Sequence, residues 1–133
     1  MDSDKLQLVN NDRFAKYIGA EVVKAEPGYA VVEMKITGNH MNGLNMVQGG
    51  AIFTLADYAF AAASNNSGNV TLGINAGISY LKSPQGARLT AVAKEVHSGR
   101  KICHYEVEVS DEDGETVALV HVTGYRKKIN SLT

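Results

Sequence analysis

Gln48-Gly49-Gly50-Ala51-Ile52-Phe53-Thr54-Leu55-Ala56-Asp57-Tyr58-Ala59-Phe60-Ala61-Ala62-Ala63-Ser64-Asn65 holds a single charged residue in a long apolar run. From Ala51 to Asn65 it reads as a helix that is apolar on nearly every face, and such a helix is expected to be buried on nearly every face. Six of its residues are alanine, which lets neighbouring backbone approach closely. Asn65 to Asn69 closes it with a polar loop containing a glycine.

Upstream, Gly38 to Val47 is a loop rich in Gly and Asn. Before it, Tyr29 to Thr37 alternates, with Val32, Met34 and Ile36 on one face and Val31, Glu33 and Lys35 on the other, the pattern of a half-buried strand. Glu26-Pro27-Gly28 marks a turn after a short strand at Glu21 to Lys24. Asn10 to Ile18 reads as a short helix capped by Asn11 or Asp12. Downstream, four strands are expected: Val70 to Leu81, Ala87 to His97, Lys101 to Ser110 and Thr116 to Lys127. Ser83-Pro84-Gln85-Gly86, Ser98-Gly99 and an Asp-Gly signal within Asp111 to Gly114 supply tight turns between them. Residues 1–9 and 129–133 read as loose ends. One helix against one large antiparallel sheet is an α+β layout.

The composition narrows the function classes. The 133 residues suit one domain, 1–133, with a core over about 12–128. Apolar residues make up 44% and charged residues 20%, ordinary for a globular chain. Lys and Arg number 13 against 14 Asp and Glu, so the basic excess of a generic nucleic-acid or membrane-surface binder is missing. The polar start and the lack of a long apolar run lead to the expectation of a cytoplasmic protein. The one cysteine, Cys103, rules out an internal disulfide and reads as a small core residue. His97, His104 and His121 lack metal-ligand spacing, so no metal site and no cofactor are expected.

Between Lys35 and Lys82, Asp57 alone carries a full charge at neutral pH. Asp is a poor helix former, and a buried carboxylate costs several kcal/mol unless it finds a partner or its pKa rises. A carboxylate so placed is a candidate general base or nucleophile; a structural Asp bonded to a neighbouring chain is the equally weighted alternative. Gln48-Gly49-Gly50 opens the same helix. Its first N–H groups lack internal partners and the helix dipole makes that end positive, so it can bind an oxygen on which charge develops. A flexible entry to the helix is the plainer reading of Gly-Gly alone. Gly49 and Asp57 are eight residues apart, or ~12 Å along one helix, too far to serve one reacting atom. Two such helices, antiparallel across a twofold axis, bring the glycine end of one to the Asp of the other.

These residues resemble the hotdog-fold thioesterases of the PaaI type. The resemblance rests on His40-Met41-Asn42 followed by Val47-Gln48-Gly49-Gly50-Ala51-Ile52-Phe53-Thr54-Leu55-Ala56-Asp57, and the wider strand pattern extends it over nearly the whole chain. It implies a long central helix wrapped by a curved antiparallel sheet of five to six strands, paired into dimers or dimers of dimers. It also implies hydrolysis of acyl-CoA thioesters, of aryl or medium-chain acyl groups, without a metal. Asp57 then matches the family's base or nucleophile, Gly49 its oxyanion N–H, and Asn42 an amide that holds substrate or carbonyl. The family's usual His before Gly-Gly is Gln48 here, which keeps a donor and an acceptor and loses the proton shuttle. That change raises a second reading, a non-catalytic acyl-CoA binding or sensing module; a purely structural oligomer is the third. Gly50 and His40 are expected near substrate. Asn75, with Thr71, is a candidate to orient water, and Lys82 and Arg100 to meet the phosphates of coenzyme A. Phe53, Tyr58, Phe60 and Tyr80 are candidates for an acyl pocket, several of them plain core.

Overall fold

The computed structural model describes residues 7–66 and 68–128. In chain order the elements are α1 (Gln7–Asn10), α2 (Arg13–Ile18), β1 (Ala20–Glu26), β2 (Tyr29–Lys35), a 3-10 turn (Gly38–His40), α3 (Gly49–Ser64), β3 (Asn69–Tyr80), β4 (Arg88–Ser98), β5 (Ile102–Asp111) and β6 (Thr116–Lys128). The expected loose ends over 1–6 and 129–133 lie outside the described residues; residues 7–9, also expected loose, belong to α1. The expected N-terminal helix is α2, which starts at Arg13 rather than Asn10. Asp12, one of the two expected caps, starts it: its carboxylate accepts the Ala15 N–H at 2.9 Å. Gly19 ends α2 in the left-handed conformation (φ 83°).

All six strands form one antiparallel sheet in the order β1-β2-β4-β5-β6-β3, with α3 packed across one face. Small residues on both sides allow the close approach. Ala30, Ala91 and Ala93 line the sheet under α3, and Ala56, Ala59 and Ala62 face them, all fully buried. Larger side chains, Met34, Leu55, Leu89 and Tyr105, fill the rest of the core, and Phe60 meets Tyr105 edge-on at 5.3 Å.

The topology departs from the sequence expectation at one connection. Ser83-Pro84-Gln85-Gly86 does not fold β3 back on β4. The chain crosses the end of the sheet, so that β3 pairs with β6 while β4 inserts between β2 and β5. Asp111 anchors the crossing: one carboxylate oxygen accepts the Gln85 N–H at 3.0 Å, and the other accepts the Asp113 and Glu115 N–H groups. Those bonds hold its carboxyl below the usual carboxylate range, the Gln85 amide contributing most. The turn residues are legible locally, but the partner of a strand is a long-range choice that turn chemistry does not encode.

Strand β3 therefore lies at one edge of the sheet and β1 at the other. The β1 edge is short, bulged between Val22 and Lys24, and carries Glu21, Lys24 and Glu26. The β3 edge runs 12 residues without a charge and exposes Leu72, Ile74 and Tyr80.

Candidate active site

Helix α3 begins two residues earlier than the pattern of apolar residues suggested, so Gly49 and Gly50 form its first turn. It is also less enclosed than expected. One sheet covers one face, and a stripe comprising Gly50, Phe53, Thr54, Asp57 and Ala61 stays wholly or partly open. These positions follow the helical spacing of a single face. Asp57 is thus exposed in the single chain, not sunk in it. Its carboxylate has no cation or hydrogen-bond donor as partner among the described residues. The crowded apolar surface around it still displaces water enough to push its pKa above the usual 3.8, and the Asp12 carboxylate adds to the rise. Asp12 comes near because the N-terminal segment folds over α3, where the Tyr58 hydroxyl donates to the Val9 carbonyl at 3.4 Å. No pattern in the sequence signals that Asp12, the cap of a separate short helix, would bear on Asp57.

At the N-terminus of α3, the Ala51 and Ile52 amides both donate to the Gln48 carbonyl, at 3.0 and 3.3 Å. The Gly49 and Gly50 amides have no backbone acceptor among the described residues. Gln48 makes no side-chain cap bond. Its amide oxygen lies so near Gly50 that a Cβ there would stand 2.9 Å from it. The loop ahead is shaped by Asn42, whose Oδ1 accepts the Leu44 and Met46 N–H groups at 2.9 and 3.1 Å, while the Asn42 N–H donates to the Met46 carbonyl. One end of the Asn42 amide therefore folds the loop, leaving its NH2 as the group with donors to offer.

Five of the expected site residues lie away from Gly49 and Asp57 or are engaged by other groups within the single chain. His40 is buried rather than presented to solvent: its Nδ1 accepts the Thr37 N–H at 2.9 Å and its Nε2 donates to the Ile18 carbonyl at 2.7 Å. With both ring nitrogens committed, it braces the loop against α2. Thr71 is buried and donates to the Ser64 carbonyl at 3.0 Å. Asn75 sits opposite Thr123 just past a bulge, on the sheet face away from α3. Lys82 is held by the carboxylates of Asp111, at 3.4 Å, and Glu115. Arg100 follows β4, at the far end of the sheet from Gly49, so within one chain the two do not meet. Tyr58 and Phe60 belong to the core, whereas Phe53 and Tyr80 border the open stripe.

A concavity of about 840 Å³ lies elsewhere. It opens on the sheet face away from α3, between Tyr29, Lys94, Glu106, Glu108, Leu119 and His121, and includes none of Asn42, Gln48, Gly49 or Asp57. The α3 stripe itself is an open surface. His97, His104 and His121 stack across three strands, with ring centres 6.0 and 5.6 Å apart. Among the described residues no group of His, Cys, Asp or Glu is arranged to hold a metal ion, and no helix is long and apolar enough to cross a membrane.

Comparison with known proteins identifies the family. The family model described as the thioesterase superfamily matches residues 44–118, which include Gly49 and Asp57. A protein of Archaeoglobus fulgidus is 40% identical over 120 residues, 90% of this chain and 78% of that one. Acyl-coenzyme A thioesterase PaaI of Escherichia coli K12 is 34% identical over 120 residues, 90% of this chain and 86% of that one. The solved structure of the E. coli PaaI protein, from the phenylacetic acid degradation operon, superposes with a TM-score of 0.88 at 32% identity, covering 94% of this chain and 91% of that one. The six-stranded curved sheet, its single long helix and these matches together show that the chain belongs to the thioesterase superfamily, in its PaaI-type hotdog branch.

Proposed function

We propose that this protein hydrolyses acyl-CoA thioesters, of aryl or medium-chain acyl groups, at two equivalent sites in a homodimer, alone or within a dimer of dimers. The observation that carries the reading is the pairing of features on α3: two unpartnered glycine amides at its start and an unpartnered carboxylate of raised pKa two turns on. At ~12 Å they are too far apart on one helix for one reacting atom and close enough to meet when two helices lie antiparallel. The uncharged β3 edge supports the same assembly, because its free backbone groups are a template for pairing with a second copy.

In this reading the thioester carbonyl lies against the Gly49 and Gly50 amides of one copy, with Gln48 and the Asn42 NH2 as side-chain donors. Asp57 of the other copy takes a proton from water as the water oxygen attacks the carbonyl carbon, or attacks that carbon itself. The C–S bond breaks, coenzyme A leaves as its thiolate, and the acid is released directly or from a mixed anhydride that water opens. A low-dielectric site favours both roles, since charge developing on the oxygen is met by fixed dipoles. The reading places the enzyme with its substrate in the cytoplasm.

Release of free thiol from a panel of acyl-CoA substrates tests it. Asp57→Asn is expected to lower kcat by about 10³-fold, within the range of positioned acid-base groups, while the dimer persists in sedimentation. A single turnover in H₂¹⁸O bears on the two routes: a general base sends the label only to the product acid, so label found in Asp57 would establish the anhydride route, with water opening it at the Asp57 carbonyl. Coenzyme A binding without turnover would favour the binding-module reading that Gln48 suggests. Neither binding nor turnover, with assembly lost in Asp57→Asn, would leave only a structural oligomer.

A further inference from the structure

Tyr80, the last residue of edge strand β3, reaches across to the first residue of α3. Its hydroxyl donates to the Gly49 carbonyl at 2.9 Å. The ring stands so close that a Cβ on Gly49 would lie 2.9 Å from both Cζ and Oη. A side chain at position 49 would therefore force the Tyr80 ring to shift, a packing reason for glycine independent of any ligand. A glycine at the open end of a helix would ordinarily be free to rotate, since it has no side chain to hold it. Tyr80 both occupies the space a side chain at position 49 would need and restrains the backbone there.

The bond falls at a consequential place. The Gly49 carbonyl and the Gly50 N–H belong to the same peptide plane. Fixing that carbonyl sets the direction of the Gly50 amide and, through the Gly49 Cα, its angle to the Gly49 amide. Donation to the carbonyl also polarises the plane and strengthens its N–H as a donor. The Thr54 hydroxyl does the same to the next plane, donating to the Gly50 carbonyl at 2.7 Å.

We propose that Tyr80 is a positioning residue for the reaction: through the Gly49 carbonyl, its hydroxyl aligns the Gly49–Gly50 amides on the carbonyl oxygen of the substrate. The proposal rests on the thioesterase reading above and adds to it a group that does not touch the reacting atoms. Tyr80→Phe is the variant that tests it, because it removes one oxygen and keeps the ring that packs on Gly49. Steady-state thiol release should show kcat lowered about tenfold, the upper range for one neutral hydrogen bond, with KM within about twofold of wild type, since alignment matters most where charge develops. The acid limb of the rate profile should stay in place, because Asp57 is untouched. The backbone amide resonance of Gly50 should move in Tyr80→Phe without any ligand, and the unfolding midpoints of both proteins, measured in parallel, should lie well above the assay temperature. An unchanged kcat, a raised KM at constant kcat, or a fall in kcat with the Gly50 resonance unmoved would each overturn the proposal. A wild type that hydrolyses no thioester would instead sink the thioesterase reading beneath it, whatever the Gly50 resonance does.

Discussion

The two ends of α3 are finished in opposite ways. At the C-terminus the last four carbonyls all have donors. Ala61 receives the Asn65 backbone and side-chain N–H groups, Ala62 and Ala63 receive the Asn66 side chain, Ala63 also takes the Gly28 N–H at 3.0 Å, and Ser64 takes the Thr71 hydroxyl. At the N-terminus two of the first four amides, those of Gly49 and Gly50, have no such partner. Every helix leaves such groups at both ends. This one satisfies the end buried in the fold and leaves unsatisfied the end that opens on the surface. The contrast separates structural polar groups from chemically available ones without reference to any relative.

The comparison can be broken from either end. The largest effect is expected at the open end. In Gly49→Ala the N–H is retained but a methyl is driven into Tyr80, and displacing an oxyanion donor costs about 10²-fold in kcat, read by thiol release. At the closed end, Asn66→Ala removes donors from the carbonyls of Glu26, Ala62 and Ala63. Ala63 keeps the Gly28 N–H, but loss of the Asn66 donors to the other carbonyls should cost about 2 kcal/mol, read by urea denaturation, while activity per folded molecule stays near wild type. The smallest effect is a shift in pH. Asp57 must be ionised to act, so the rate falls as pH drops through its raised pKa. Asp12→Asn removes the neighbouring charge, keeps the cap on α2, and should move that acid limb to lower pH. The sign for stability runs the other way. A carboxylate whose pKa is higher folded than unfolded costs nothing below pH 3.8, and the cost grows as pH rises from there to the folded value. Asp57→Asn should therefore unfold at higher denaturant than wild type at neutral pH.

Much of this was legible in the sequence because it is local. The alternation of Tyr29–Lys35, the cap at Asp12, the turn at Gly28 (φ 80°) and the long apolar helix are each decided within a few residues. The lone charge at Asp57 stood out for the same reason. What was not legible depends on contacts distant in the chain. The pairing of β3 with β6, the capture of Lys82 by Asp111 and the bracing of His40 by Ile18 join residues that no local pattern links. Tyr80 was visible only as an aromatic side chain near a pocket; its bond to a backbone carbonyl 31 positions away was not. The open stripe on α3 was also hidden, since an all-round apolar helix does not reveal which neighbour covers each face.

The two rims of the sheet differ in what they offer to a further strand. The β1 rim is fenced by charge and a bulge, and the β3 rim is the tacky one. A molecule with one tacky rim has a valence of one along the sheet. If two copies pair there, as the proposed dimer requires, the contact covers the uncharged rim and leaves outward only the charged, bulged one, which disfavours growth by further strand addition.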